Sequence, residues 1–279
     1  MSLGTARSDG PEVEIGAPDR QRGTGLARVS RAGGIASHCL AWLTVSRTRL
    51  RIVKDLLSKP PVLICLFGDK YCFDVYRSFK APHPKFPFVG RKSFGVALRD
   101  LDGPFETLFS SPRFVYFRRK VRRAEKLGYR VERIDPRCRI EQVMDIHVST
   151  GIRQNRAIRP DYLDRASVAT YLSSPGPWYG VLDPEGALRA YCHLPVIGDC
   201  CFYSRILGDA KRLDDGIMYL LIHATVGAMH RHRSTHGYPR WVMYDMFLGG
   251  LEGLRNFKTR SGFVPERVTW IWERRRVDS

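Results

Sequence analysis

"WYGVLDPEGALRAYCHLPVIGDCCFYSRIL", residues 178–207, decides how this chain folds. Its apolar residues gather into three runs, "WYGVLD", "ALRAYCHLPVI" and "CCFYSRIL", and the intervening "PEG" and "GD" carry the turn chemistry of tight hairpins. Connections this short join antiparallel neighbours, so the stretch predicts a three-stranded meander. After the loop "GDAKRLDDG", the segment "IMYLLIHATVGAMHRH" (217–232) is too apolar on all sides for a surface helix, which predicts a central one.

Downstream, "RWVMYDMF" reads as a strand, 251–260 as a helix, and "VPERVTWIWERR" as a last strand alternating its side chains between two faces. Upstream, "YRVERI" reads as a strand, followed by helices over 139–152 and 160–172. Before them, Ser111-Pro112 and Gly128 punctuate a helix in which Phe114, Phe117, Val121 and Ala124 recur at spacings of three and four. Arg118, Arg119, Arg122, Arg123 and Lys126 then share its opposite side, either as a solvated basic face or as a dock for a polyanion. Nearer the start, "VLICLF" and "KYCFDVY" flank a Gly-Asp and are read as two strands and a turn, with "KAPHPKFPFVG" as a loop. Residues 1–34, rich in Gly, Ser, Arg and Pro without an apolar period, are expected to be a mobile leader.

The 279 residues carry a formal charge of +18, which calls for an anionic partner or surface such as nucleic acid, a phosphate-bearing cofactor or anionic lipid. Arginine dominates, since only 10 of the 46 basic residues are lysine, and such a bias also follows from base composition. Seven cysteines without a CxxC pair suggest neither a disulfide framework nor a zinc ribbon, which fits a reducing cytoplasm. "IASHCLAWLTV" (35–45) is too short to span a bilayer, so no stable membrane insertion is expected. His230, His232 and His236 lack a carboxylate or cysteine at companion spacing, and no metal is expected there. Serine-hydrolase, P-loop, zincin and Rossmann motifs are absent from the sequence.

The order strand, two helices, meander, central helix, strand, helix, strand resembles the GNAT acyltransferase fold. "YDMFLGG" (244–250) and "GLRNFKTRSGF" (253–263) sharpen this to the branch related to the Fem peptidyltransferases, and "RRKVRRAEKLGY" (118–129) and "GIRQNR" (151–156) are similar to that branch's basic helix and Arg-Gln segment. The resemblance covers about residues 90–273. It implies an α/β fold with a mixed, mostly antiparallel central sheet and helices on both faces. A flexible basic leader with a short helical or apolar segment (1–58) would precede a transferase domain (59–279, core 129–275). The activity it implies is cytoplasmic N-acyl transfer to an amine-bearing small molecule or peptide, from acyl-CoA or, in the Fem manner, from charged tRNA. A rival class is a non-catalytic basic module for nucleic acid or a membrane surface.

Acyl transfer to an amine requires a neutral nucleophile, a polarised carbonyl and a route for the proton. Lys258, two turns into a helix, is the candidate for the developing oxyanion, with Asp245 as proton acceptor and Tyr244 as orienting hydroxyl. Gly249 and Gly250 would let backbone N–H groups approach a ligand. Tyr203, Arg153 and Arg156 are candidates for substrate contact, and Arg205, Lys211, Arg212 and Gly216 for the donor. Lys258, Asp245 and Arg205 are expected to line one cleft. "AKRLDDGIM" departs from the Arg/Gln-x-x-Gly-x-Gly/Ala loop with which acetyl-CoA members hold pyrophosphate, because Asp214 and Asp215 stand where it would sit; repulsion of the anion is expected.

Overall fold

A computed structural model describes residues 50–273, apart from 85 and 154. Most of the expected leader therefore lies outside the described residues, while 50–58 are helical. Strand β1 (Val62–Leu66) follows, and then helix α1 (Lys70–Lys80) stands where sequence reading placed a second strand. The Gly-Asp is a helix start and not a hairpin turn: the Asp69 carboxylate accepts the Cys72 N–H at 2.9 Å. Over a window ending at Tyr76, the alternation Tyr71, Phe73, Val75 imitates a strand. One turn further, Phe79 completes a four-residue spacing with Val75, and these two are the buried residues of the helix.

A small hairpin (β2, Pro82–His83; β3, Phe86–Gly90) leads to β4 (Phe94–Asp100), a central strand that the sequence reading passed over. Val96, Ala97 and Leu98 are all fully buried because both faces of β4 are covered, which removes the alternation that would have marked it. Helices α2 (Phe105–Leu108) and α3 (Val115–Lys126) come next, α3 entered through a 3₁₀ turn at Pro112–Phe114 and burying the expected Phe117, Val121 and Ala124. After β5 (Arg130–Arg133), α4 (Ile140–Val148) stops four residues short of expectation, and a two-stranded hairpin (β6, Ile152–Arg153; β7, Arg156–Ala157) takes the remainder. The second expected helix is two, α5 (Pro160–Leu163) and α6 (Arg165–Leu172). Asp164 separates them and caps the latter by accepting the Ser167 N–H at 2.8 Å.

The meander is present with one large difference. Strands β8 (Trp178–Leu182) and β9 (Leu188–His193) pair as expected, but β10 (Val196–Ile197) and β11 (Cys200–Phe202) belong to another sheet, and only β12 (Arg205–Gly208) returns to β9. Beyond lie the central helix α7 (Ile217–His236), β13 (Trp241–Met246), α8 (Glu252–Arg260) and β14 (Val264–Trp272). The result is a mixed α/β fold. Its six-stranded sheet has the order β1-β14-β4-β13-β11-β10, and its antiparallel four-stranded sheet β12-β9-β8-β5.

One expected strand, 200–207, thus serves both sheets. Cys201 pairs in parallel with Val242, the Tyr203 N–H still donates to the Met243 carbonyl at 3.0 Å, and the next N–H, of Ser204, donates to the His193 carbonyl at 3.1 Å. From Tyr203 onward β13 and its neighbour part. Helices α3 and α7 cover one side with a core that includes Phe117, Leu221, Val242 and Tyr203. Helices α4 and α6 cover the other side of the smaller sheet around Val143, Leu172 and Tyr191, and α1 that of the larger sheet around Val75, Leu98 and Trp270.

Candidate functional site

Where β13 loses its partner it also bulges: its register to β4 shifts between Met243 and Met246, and Asp245 adopts φ 49°, a left-handed conformation costly for a residue with a Cβ. The bulge turns the Asp245 carboxylate, 48% exposed, onto the ammonium of Lys92, whose side chain is 5% exposed. Lys92 is fixed by its own main chain, its N–H donating to the Phe79 carbonyl and its carbonyl accepting the Trp270 indole N–H at 2.7 Å. Lys258 reaches the same place from α8. It is 1% exposed, its Nζ donates to the Met246 carbonyl at 2.8 Å, and it lies 4.8 Å from the centroid of the Tyr244 ring.

Burial pulls the Lys258 amine down to about 8, against the pull of Asp245 and with the help of Lys92. Burial alone would raise the Asp245 carboxyl, yet Lys92 and Lys258 hold it below the ordinary carboxylate range. A carboxylate so held is a weak base but a good anchor for a cationic amine. Lys258, closer to neutrality, is the better matched of the two to exchange a proton. Lys92 escaped sequence reading because "GRKS" looks like any surface turn.

Tyr203 and Tyr244 meet beside this cluster, ring centroids 5.3 Å apart, and the Tyr203 hydroxyl shares a hydrogen bond of 2.7 Å with Thr225. Both are buried, and burial raises both phenols. Gly249 is exposed and Gly250 buried; neither has a positive φ, and the Gly250 carbonyl accepts from Arg255 at 2.8 Å. The left-handed residue of this stretch is Asp245.

Arg205 does not join them, which corrects the expectation of a single cleft. It lies on the other face of the sheets, its guanidinium carbon 3.6 Å from the Tyr171 centroid and 4.4 Å from that of Tyr162, beside the core under α4 and α6. The alternation of β12 sends Ile206 to the α7 side and Arg205 and Leu207 away from it. Arg153 is turned to main-chain carbonyls, Ile146 at 2.5 Å and Gly208 at 3.3 Å, so it ties the end of α4 to β12. Arg156 is exposed on the β6–β7 hairpin.

The donor candidates Lys211 and Arg212 are exposed on the 3₁₀ turn Ala210–Asp215. Of the acidic pair here, the Asp215 carboxylate accepts the Tyr129 hydroxyl at 2.9 Å and faces Arg123 at 3.6 Å, while Asp214 is exposed and its main-chain carbonyl accepts from Lys120. Gly216 caps α7 with φ 94°, and a Cβ there would collide with the Lys120 carbonyl of α3. Helix α3 therefore packs closely on the start of α7. Gly216→Ala is expected to lower stability by at least about 2 kcal/mol, from the positive φ and the collision together, read from the urea midpoint.

Several solved structures share part of this architecture. L-PGS from Bacillus licheniformis is 17% identical with TM-score 0.44, the match covering 62% of this chain and 58% of that one. FemX is 14% identical with TM-score 0.47 over 62% and 59%, and a conserved protein of unknown function from Bacteroides thetaiotaomicron 15% identical with TM-score 0.46 over 62% and 58%. Each match spans less than two thirds of the neighbour's own length. No family model and no curated protein sequence matches the chain. Similarity this low carries no activity from those proteins to this one.

The basic helix, finally, is not uniform. Arg118 donates to the carbonyls of Phe109, Ser110 and Ser111, which removes it from the face expected to be free. Arg119, Arg122, Arg123 and Lys126 are exposed and line an open groove of about 590 Å³. Arg260 of α8 extends the row, 4.3 Å above the Tyr116 ring. Among the described residues no helix is long and apolar enough to cross a membrane.

Proposed function

We propose that this protein transfers an acyl or aminoacyl group from a charged tRNA to an amine, with the reaction at the Asp245–Lys258–Lys92 cluster and the nucleic acid along α3. The observation that carries the choice of donor is the contact of α3 with the start of α7. The same helix that packs on the start of α7 turns its arginines outward, which favours a donor recognised by many phosphates. Asp245 would bind the incoming amine as its cation, and Lys258 in its neutral form would take the proton that frees the amine's lone pair; attack on the ester carbonyl would then form the amide as the C–O bond to the tRNA breaks, the second amine proton leaving on the tRNA hydroxyl.

A non-catalytic nucleic-acid module would account for α3 equally well. It gives no reason for a left-handed aspartate between two buried lysines, a costly arrangement of the kind that gathers at reacting sites. The test compares donors directly, by binding of charged tRNA and of acetyl-CoA at low and physiological salt, and by release of a labelled aminoacyl group to small amines. Salt-sensitive tRNA binding with transfer supports the reading. Saturable acetyl-CoA binding without tRNA binding replaces it with a CoA-linked transferase, and tRNA binding without transfer to any amine leaves the binding module.

A further inference from the structure

We infer that Arg205, held between Tyr162 and Tyr171, is a receptor for an oxyanion, phosphate or carboxylate, on the molecule that accepts the transferred group. The word acceptor rests on the reading above; the anion site stands without it. The guanidinium carbon lies 3.6 Å from the Tyr171 ring centroid and 4.4 Å from that of Tyr162, and its N–H groups reach the Tyr191 hydroxyl. A guanidinium carries enough donors to hold that hydroxyl and still grip an oxyanion. Among the described residues no carboxylate comes within ion-pairing distance of Arg205.

The groups around it are arranged to stay neutral. The Tyr162 carbonyl, 2.8 Å away, makes Nδ1 of His147 a donor, so Nε2 accepts the Tyr191 hydroxyl at 2.6 Å. His193 is set likewise, Nε2 donating to the Pro175 carbonyl at 2.9 Å and Nδ1 facing the Tyr171 hydroxyl at 3.4 Å. Both imidazoles are fully buried, which brings each down to about 4. Of the charges nearby, Arg153 is positive and occupied with carbonyls, and Asp161 is paired with Arg159. A half-buried cation with no counter-charge is costly, and an anionic ligand relieves that cost. The exposed Ser204 hydroxyl, 3.4 Å from that of Tyr171, offers a further donor at the rim. Arg205 lies two residues beyond Tyr203, where the strand leaves β13 for β9.

The test is calorimetric titration of the full chain with inorganic phosphate and, separately, with acetate. Saturable binding of phosphate assigns a phosphorylated acceptor, and saturable binding of acetate a carboxylate-bearing one. Arg205→Gln is expected to weaken the anion that binds by about ten- to a hundredfold, the value of a charge-assisted pair, and Arg205→Lys by less. Arg137→Gln, which removes an exposed arginine already paired with Asp135, leaves it unchanged. Should the Gln variant lose its near-UV dichroism, the Lys variant, which keeps the charge without the planar fork, carries the comparison. Equal affinity in wild type and Arg205 variants, or no saturable binding of either anion, overturns the proposal. Failure of tRNA-dependent transfer with anion binding intact overturns only the reading above.

Discussion

Arg119→Glu, Arg122→Glu and Lys126→Glu, introduced together, are expected to weaken tRNA binding about 10²–10³-fold near 0.1 M salt, because each lost phosphate contact removes close to one released counterion. The slope of log affinity against log salt should fall by about 2 to 3 for the same reason. All three side chains are exposed, so the thermal midpoint should move little. Arg118 is left out of the set because its bonds to the carbonyls at 109–111 are structural. Binding that keeps its strength and its slope would remove α3 from the nucleic-acid path and with it the argument for tRNA.

Lys258→Ala is expected to destabilise the fold by about 3 kcal/mol, through the cavity left by three buried carbons and the amine, and a Met246 carbonyl without its donor. For a domain of this size that is roughly 6–12 °C in melting temperature. Lys258→Met refills the cavity and should cost about 1 kcal/mol at neutral pH. The pH dependence separates the amine's charge from its packing. In the folded protein the amine loses its proton near pH 8, in the unfolded chain near 10.5. Between those values the unfolded chain binds the extra proton, so this group makes stability rise with pH across that window. Below pH 8 the group is charged in both states and its burial penalty is fully present. Wild type should therefore gain on Lys258→Met by about 2 kcal/mol between pH 8 and 9.5 in urea unfolding. Parallel pH profiles for the two proteins would show that the buried amine is not depressed.

What the sequence disclosed depended on how far local pattern and burial agree. The central helix was legible from the length of its apolar run, the α3 stripe from its spacing of three and four, and the β8–β9 hairpin from the tight turn between two apolar runs. Strand β4 was not, because a strand covered on both faces has no alternation to read, and α1 was lost to a window one turn too short. The meander's last strand illustrates a third case: "CCFYSRIL" is apolar throughout whether it stays in one sheet or crosses to another, and the crossing between Tyr203 and Ser204 depends on partners at His193 and Met243. At the site, Asp245, Tyr244 and Lys258 were named from their motif, and the structure does bring them together. Lys92, 153 positions away from Asp245, could come only from tertiary structure, as could the reversal that puts Arg205 on the far face.

The place of β4 in the larger sheet has a consequence for the chain's architecture. It lies between β14 and β13, so a strand from the first half of the sequence is wedged between two from the last quarter, and the turn just before it delivers Lys92. A fragment beginning at residue 129 would hold Asp245 and Lys258 and still lack Lys92 and the strand between β13 and β14. Neither half of the chain could thus be shuffled, duplicated or excised with this charged corner intact; it forms only once an early strand has been knitted between two late ones.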